Sequence, residues 1–256
     1  MCAIDGVLAR QPPARAALET GVTGMARVAL PAALAYAPSM RCIVTAGPTH
    51  EPLDEVRRLT NFSSGRLGTE LANYLVAHGH EVTLLVGQQA TWGGERRAQR
   101  VENFTTTASL RDRLHALATE DAGAVFHTAA VSDFAFGKVW LRSARGELTE
   151  IKAGKLSTRQ GTLLAELVPT PKIIAELRNW YPRARLVGWK YEVEGGRDAV
   201  LKLGEKQIAE CLTDACVVNG AAYGTGFGFL KTGKACVHLP DAPALFSTLE
   251  GYIRGG

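Results

Sequence analysis

The sequence contains a short string suited to holding a phosphate group. It reads Ser63-Ser64-Gly65-Arg66-Leu67-Gly68 and stands where a helical pattern begins. The first turn of a helix presents free N–H groups and the positive end of the helix dipole, and both attract anions. We therefore predict that Ser63, Ser64 and Gly65 seat a phosphate. The alternative is structural, with Ser64 as an ordinary helix N-cap.

The loop before this string favours the phosphate site. It begins at Gly47 and runs for about twenty residues, whereas the loop between a strand and the next helix usually has about two to six. A loop of that length inside a compact domain is often a binding loop, so Gly47 is included among the candidate ligand-binding residues.

Polar residues also follow two later strands. After His127 the chain reads Thr-Ala-Ala-Val-Ser-Asp, in which Ala129 and Ala130 leave a ligand room beside the backbone. Asp133 could accept a hydrogen bond from a ribose or a base amine, or organise a metal-bound phosphate, and a helix N-cap or turn aspartate is the alternative. His127 lies within an apolar strand, which favours a core histidine over a catalytic base. Asn219, at the end of another strand, suits a ligand contact and a turn equally.

Two other segments differ from known nucleotide-binding motifs, because each lacks a residue or a structural element that the motif requires. Gly228 to Ala235 approaches a P-loop, but Ala235 replaces the magnesium-binding Ser or Thr, and a strand pattern follows where a helix is required. The second strand ends in Gln88-Gln89 without the acidic residue that holds a ribose, and the chain has no Tyr-x-x-x-Lys pair. The chain therefore lacks the residues that usually bind the cofactor and act in a nicotinamide-dependent reductase.

The elements that must position these residues alternate between strand and helix from Arg41 onward, which is typical of a parallel sheet. Strands buried on both faces read as continuous apolar runs, as these do. Right-handed crossovers then favour a Rossmann-like, doubly wound α/β fold. The predicted strands are 42–46, 81–86, 100–104, 124–129, 185–189 and 215–219, and the predicted helices are 67–77, 109–120, 171–179, 197–210 and 242–252.

Two stretches interrupt the alternation. Residues 134–168 are interpreted as an inserted β-arm with a mobile basic loop, and residues 227–239 as a hairpin at a sheet edge. Lys155 and Arg159 lie in the basic loop, where they could close on a triphosphate after it binds. Simple solvated charge is the alternative for this loop.

The composition limits the class of protein. With 46% hydrophobic and 21% charged residues, the 256-residue chain is typical of a soluble globular protein and not of a membrane protein. A formal charge of +4 is too small for a nucleic-acid binder. Five cysteines without a CxxC pair indicate free thiols in a reducing, cytoplasmic compartment. Residues 40–256 are expected to form a single domain, and residues 1–39 either a flexible arm or an upstream translation start.

Five strings together resemble the phosphopantothenoylcysteine synthetases, which are the phosphopantothenate-cysteine ligases of coenzyme A biosynthesis. They are TAGPTHEPLDEVR at 45–57, TNFSSG at 60–65, AAVSDF at 129–134, LVPTP at 167–171 and GWKYE at 188–192. The resemblance covers about residues 41–240 and implies a Rossmann-like homodimer. It also implies a two-step reaction, in which CTP or ATP with Mg²⁺ activates 4′-phosphopantothenate as an acyl-nucleotidylate and the cysteine amine then attacks it.

The resemblance also implies roles for individual residues. Asn61 would hold the acyl-nucleotidylate, and Lys155 would act in its formation. Residues 63–65 would seat phosphate, while Asp133 would contact the nucleotide beside Ala129 and Ala130. The residues implied to border the base, ribose or triphosphate are Pro171, Lys172, Ile173, Ile174, Trp189 and Lys206.

The chain departs from the family pattern at several cations. Only Lys155 remains of a lysine-rich loop, His50 takes the place of an arginine, and Glu210 or Cys211 replaces a second helical lysine. We expect CTP rather than ATP, and no flavin, because the residues before the domain are too few for the decarboxylase that is fused to many relatives. A non-catalytic nucleotide-binding protein of the same fold, with a regulatory or assembly role, is the alternative.

Overall fold

The computed structural model describes residues 39–151 and 161–255 of the chain. The predictions for residues 1–38, Lys155 and Arg159 lie outside these ranges. In chain order the strands are β1 (Arg41–Ala46), β2 (His50–Pro52), β3 (Arg58–Thr60), β4 (Glu81–Gly87), β5 (Arg100–Phe104), β6 (Ala124–His127), β7 (Phe134–Arg142), β8 (Leu148–Glu150), β9 (Thr162–Pro169), β10 (Arg185–Tyr191), β11 (Ala215–Asn219), β12 (Phe227–Lys231) and β13 (Val237–Leu239). The helices are α1 (Arg66–Ala77), α2 (Thr107–Leu117), α3 (Ile173–Trp180), α4 (Gly196–Cys211) and α5 (Ala242–Arg254), and a 3₁₀ turn at Ala118–Glu120 follows α2.

An eight-stranded sheet forms the centre of the domain, in the order β13-β12-β11-β10-β6-β1-β4-β5. The six strands from β5 to β11 in this order pair in parallel, as predicted. Strands β12 and β13 add an antiparallel edge, which is the predicted hairpin. The chain first builds outward from β1 through β4 to β5 and then from β6 in the opposite direction. This order is that of a doubly wound, Rossmann-like sheet, so the predicted fold class is confirmed.

Helices cover both faces of the sheet. On one face Leu71 of α1 and Leu245 of α5 are fully buried in one cluster with Val44 of β1. On the other face Leu110 of α2 and Leu177 of α3 belong to a second buried cluster. Burial of these apolar faces from water is the main favourable term that holds helices against a sheet. The carboxyl ends of the parallel strands stay uncovered between the helices.

The predicted arm, residues 134–168, is a separate antiparallel sheet in the order β8-β7-β9, which ends one residue later at Pro169. Strands β7 and β9 pair from Phe134 opposite Pro169 to Arg142 opposite Thr162. The base of the arm therefore lies between the end of the β6 loop and the start of α3.

The long loop after β1 is partly ordered into a hairpin that the sequence did not predict. Strands β2 and β3 pair between His50 and Thr60. Each has only three residues, mostly polar, so neither shows the apolar alternation that predicts a strand. The hairpin is tied down by the Thr60 hydroxyl, which donates to the Thr49 carbonyl at 2.9 Å, and by the His50 N–H, which donates to the Thr105 carbonyl at 2.9 Å.

The fourth predicted strand, 124–129, ends earlier than expected, at His127. Beyond it the chain turns toward the loop after β1, where the Ala130 N–H donates to the Gly47 carbonyl at 3.0 Å. Two segments that a sequence pattern treats as separate loops are therefore joined at the ends of adjacent strands.

In the described ranges no helix has the length and apolar character needed to cross a membrane. Cys42, Cys211, Cys216 and Cys236 are free thiols, as predicted, and burial raises the pKa of each. Cys2 lies outside the described residues.

Candidate functional site

A cavity of about 1090 Å³ opens at the carboxyl ends of β1, β6, β10 and β11. It spans the point between β1 and β6 where the winding of the sheet reverses, which is where doubly wound sheets bind ligands. Its volume is slightly above the usual range of about 300–1,000 Å³ for small-molecule sites. The predicted site residues that line it are Gly47, Asn61, Ser63, Ser64, Gly65, Ala129, Ala130, Asp133, Pro171, Lys172, Ile173, Ile174, Trp189 and Asn219.

The start of α1 forms one wall of the cavity. Its N-cap residue is Gly65, with φ of 77°, and no side chain caps the helix. The alternative of Ser64 as the N-cap is therefore wrong, although its hydroxyl accepts from the Arg66 N–H at 3.3 Å. A positive φ favours glycine because a Cβ would clash there with the backbone. An uncapped helix start facing a cavity is the arrangement that binds anions through backbone N–H groups.

Gly68 allows α1 to approach the strand ends closely. A Cβ at this position would lie 2.3 Å from Thr128 Oγ1 and 2.9 Å from the Thr45 carbonyl oxygen. We expect Gly68→Ala to lower the free energy of unfolding by about 1–3 kcal/mol, because overpacking must push the helix away from β1. Chemical denaturation measures this change.

Gly251 provides a matched control for that substitution. It also lies within a helix, α5, but a Cβ there would meet nothing within 4 Å. Gly251→Ala is expected to raise the free energy of unfolding by about 0.5–1 kcal/mol, through helix propensity alone. Equal effects of the two substitutions would contradict the close packing of α1 on β1.

Hydroxyl groups hold the loop that follows β6. The Thr45 hydroxyl accepts from the Ala129 N–H at 3.0 Å and shares a hydrogen bond of 3.1 Å with Nδ1 of His127. The Thr128 hydroxyl donates to the Thr45 carbonyl. These bonds fix Ala129 at the cavity wall. The role of Thr45 could not be predicted, because a buried strand threonine looks like any other β-branched residue in the sequence.

His127 is a core histidine, as the sequence favoured. Its side chain is 6% exposed, and burial lowers its pKa from 6.5 to about 4. The imidazole is thus neutral at pH 7 and holds its hydrogen bond to Thr45 without carrying charge.

This burial predicts a loss of stability in acid. Between pH 6.5 and about 4 the unfolded chain takes up a proton at His127 that the folded chain does not, so stability falls as the pH falls through this window. The contribution of this one group amounts to roughly 3 kcal/mol at the acid end. We expect denaturation curves of His127→Asn to show a smaller loss over the same range than the wild type. Parallel losses in the two proteins would assign the acid sensitivity to other groups, such as His50 and His80, whose pKa values burial also lowers.

Asn61 joins the hairpin loop to the loop after β6. Its side-chain Nδ2 donates to the carbonyl oxygens of Ala130 at 3.2 Å and Val131 at 3.1 Å. Both amide hydrogens are engaged, so the group that Asn61 offers to the cavity is its carbonyl oxygen, an acceptor.

Asp133 is the only acidic side chain among the described residues that line the cavity. No cluster of three or more His, Cys, Asp or Glu residues in the described ranges could hold a metal ion. Mg²⁺ that accompanies a nucleotide keeps several waters and phosphate oxygens and takes one or two carboxylates from the protein. A single exposed carboxylate fits a magnesium ion that arrives with a nucleotide and does not fit a resident metal centre.

Two polar atoms in the cavity wall lack partners among the described residues. Trp189 Nε1 and Asn219 Oδ1 are both buried from solvent and make no hydrogen bond. They lie on adjacent parallel strands, β10 and β11, at the ligand-binding end of the sheet. A buried donor and a buried acceptor without partners are unfavourable unless a ligand or water satisfies them, which favours the ligand contact over the turn for Asn219.

The structure does not bring Lys206 to the cavity. Its side chain is 65% exposed and its Nζ lies 3.7 Å from Glu210 Oε1 on the outer face of α4. The next residue, Gln207, lines the cavity instead and donates from Nε2 to Cys216 Sγ at 3.3 Å. Sequence reasoning also missed Lys190, which lines the cavity from the end of β10.

The family model for the DNA/pantothenate metabolism flavoprotein C-terminal domain matches residues 38–241. A relative from Thermococcus kodakarensis, the coenzyme A biosynthesis bifunctional protein CoaBC, is 33% identical over 183 residues. The matched region is 70% of this chain and 41% of that protein, so the chain spans less than half of the relative's length.

Solved structures share the fold. The DNA/pantothenate metabolism flavoprotein from Streptococcus pneumoniae superposes with a TM-score of 0.70 at 24% identity, covering 84% of this chain and 100% of that one. A mutant of Cab2 in complex with phosphopantothenate-cysteine superposes with a TM-score of 0.64 at 18% identity, covering 84% of this chain and 86% of that one. At these identities the likeness supports the architecture alone.

Proposed function

The chain belongs to the DNA/pantothenate metabolism flavoprotein C-terminal domain family, and from this premise we propose that it is a cytoplasmic phosphopantothenate-cysteine ligase. Its substrates would be 4′-phosphopantothenate, L-cysteine and a nucleotide triphosphate, with CTP preferred to ATP. The observation that carries the proposal is one cavity that contains an uncapped helix start at residues 63–65, the acceptor of Asn61 and the unpartnered polar atoms of Trp189 and Asn219.

In the first step an oxygen of the pantothenate carboxylate attacks the α-phosphorus of the nucleotide. The bond from that phosphorus to the β-phosphate oxygen breaks, and pyrophosphate leaves with its electron pair. The reacting groups are both anionic, so the site must offset their repulsion and hold them in line. The start of α1 supplies N–H groups for a phosphate, and the resemblance assigns Lys155 to this step.

In the second step the cysteine amine attacks the acyl carbon of the mixed anhydride. The amide bond forms, the nucleotide monophosphate leaves, and the amine loses a proton. Asn61 Oδ1 is suited to accept a hydrogen bond from the attacking amine, because both hydrogens of its own amide are engaged by Ala130 and Val131. His127 is excluded as a cationic partner at neutral pH by its lowered pKa.

Magnesium would accompany the nucleotide, offsetting phosphate charge when bound, and Asp133 is the carboxylate available to it in the cavity. The resemblance also implies a homodimer. We assign its contact to the arm, which exposes the apolar side chains of Leu148, Leu164, Leu167 and Val168.

The proposal is tested by direct detection of product. Purified protein is incubated with 4′-phosphopantothenate, cysteine, Mg²⁺ and either CTP or ATP, and the amide is identified by mass spectrometry. Product that requires all four components supports the ligase. Folded protein that binds a nucleotide but forms no product with either triphosphate would favour the non-catalytic alternative.

A further inference from the structure

The cavity contains lysines in places other than the helix position that the resemblance implied. We propose that Lys190, together with Lys172 of the same cavity, binds the terminal phosphates of the nucleotide triphosphate. This inference rests on the proposed function only in taking a nucleotide triphosphate as the ligand. Neither the resemblance nor any motif in the sequence assigns a role to Lys190.

The alternation of side chains along β10 determines the face of the sheet on which Lys190 lies. Val187 and Trp189 pack with the cluster on the α1 side of the sheet. Gly188 is on the opposite face, where a Cβ would lie 2.2 Å from Gln207 Nε2 of α4 and 2.7 Å from Ile174 Cδ1 of α3. Successive strand residues point to opposite faces, so Lys190 shares the face of Gly188, between α3 and α4.

Lys172 approaches the same region from the start of α3. The positive charges of Lys172 and Lys190 both act to lower the pKa of the Cys211 thiol on α4, although burial raises it overall. Geometry places both lysines on the same side of the cavity, because Lys172 is the N-cap residue of α3 and Ile174 of that helix packs against Gly188 of β10. Two cations on one side of the cavity offset the charge of a polyphosphate better than a single lysine does.

Both lysines have donors to spare. Lys190 Nζ lies 3.1 Å from Glu192 Oε1, and its side chain is 37% exposed. An ammonium has three donors, so this one contact leaves two for a ligand. Lys172 makes no ion pair with a described residue and is exposed at the cavity edge.

The other charged residues of the cavity do not serve this purpose. Arg66 is bound to Glu70 at 2.7 Å on α1, which packs on the opposite face of the sheet from Lys190, and Asp133 is an acid. A triphosphate needs cations that offset its charge. Among the described residues that line the cavity, Lys172 and Lys190 are the cations on the α3 and α4 side of the sheet.

Lys138 supplies a matched control. Like the ammonium group of Lys190, that of Lys138 lies near a glutamate, 3.6 Å from Glu150 Oε2, but Lys138 stands on β7 and does not line the cavity. The two lysines thus differ mainly in whether they reach the ligand. A general effect of removing one positive charge would appear equally in both.

The test compares the affinities for CTP and CMP, each with Mg²⁺, by calorimetry in the absence of phosphopantothenate. Loss of a charge-assisted hydrogen bond to phosphate should weaken CTP binding about tenfold or more and leave CMP binding nearly unchanged. We expect Lys190→Gln to lower the CTP-to-CMP affinity ratio by that factor, and Lys190→Arg and Lys138→Gln to keep the wild-type ratio. Lys172→Gln, at an exposed position where folding is not at risk, should lower the same ratio.

Two results would overturn the inference: an unchanged ratio in folded Lys190→Gln, or an equal loss in Lys138→Gln. Because the measurement is of binding, it separates this inference from the proposed function. If the wild-type enzyme forms product and Lys190→Gln keeps the wild-type affinity ratio, only the role of Lys190 is contradicted. If the affinity ratios are as expected and no product forms, only the proposed ligase activity is contradicted.

Discussion

Asn61→Asp is expected to slow formation of the amide product at least about a hundredfold, a loss of roughly 2.7 kcal/mol in transition-state stabilisation. The wild-type amide donates to the carbonyl oxygens of Ala130 and Val131. A carboxylate has no hydrogen to donate, so it would face two carbonyl oxygens and push the hairpin loop away from the β6 loop. The position that receives the attacking amine is then lost, while the start of α1 remains.

The measurement is a single-turnover reaction followed by mass spectrometry. With Asn61→Asp we expect pyrophosphate release to continue and the acyl-nucleotidylate to accumulate, because the defect lies in the second step. Asn73→Asp is the matched control, since the Asn73 side chain bridges Glu95 O at 2.7 Å and Arg97 N at 2.8 Å and does not line the cavity. That control should keep its rate within about twofold of the wild type, as surface substitutions usually have small effects. Wild-type product formation by Asn61→Asp would remove Asn61 from the mechanism.

Lys155→Ala is expected to slow pyrophosphate release by about a hundredfold or more, the size of effect seen when one group that stabilises transition-state charge is removed. The resemblance places this lysine in activation of the carboxylate, a step in which two anions must meet. Thermal unfolding of the variant should match the wild type, because the sequence predicts Lys155 in a basic loop and substitutions in such loops usually have small effects on stability.

Lys138→Ala is the control for this substitution within the same arm. Lys138 lies on β7, with its side chain 61% exposed and its Nζ 3.6 Å from Glu150 Oε2. It should release pyrophosphate at the wild-type rate. If Lys155→Ala also does so, the loop lysine has no part in activation and the reaction depends on the cations that the structure describes.

The sequence predicted the sheet well because its strands are buried. Runs such as residues 42–46 and 215–218 are continuous and apolar, which fits parallel strands covered on both faces. The β2–β3 hairpin carries no such pattern, since its short polar strands are held in part by the bond from the His50 N–H to the carbonyl of Thr105, which is distant in sequence. Tertiary hydrogen bonds of this kind leave no local periodicity to detect.

The site residues that directly follow strands could be predicted from the sequence. Those on a helix were harder to predict, because their position depends on which face of the helix points toward the cavity. The buried residues of α4 are Val200, Gly204, Gln207, Ile208 and Cys211. Their spacing of three and four residues marks one helix face and places Lys206 off it. That spacing was available in the sequence, although small and polar members such as Gly204 and Gln207 weaken it as an apolar stripe. Lys190 was missed because a lysine at the end of a strand reads as a solvated terminus.

The central claim is tested most directly by pyrophosphate release from purified protein with Mg²⁺ and CTP or ATP, with and without 4′-phosphopantothenate and with and without cysteine. A ligase of the proposed mechanism should release pyrophosphate only when phosphopantothenate is present, do so in a single turnover without cysteine, and turn over repeatedly when cysteine is added. No release with either nucleotide, from folded protein that binds one of them, would contradict the proposed activity.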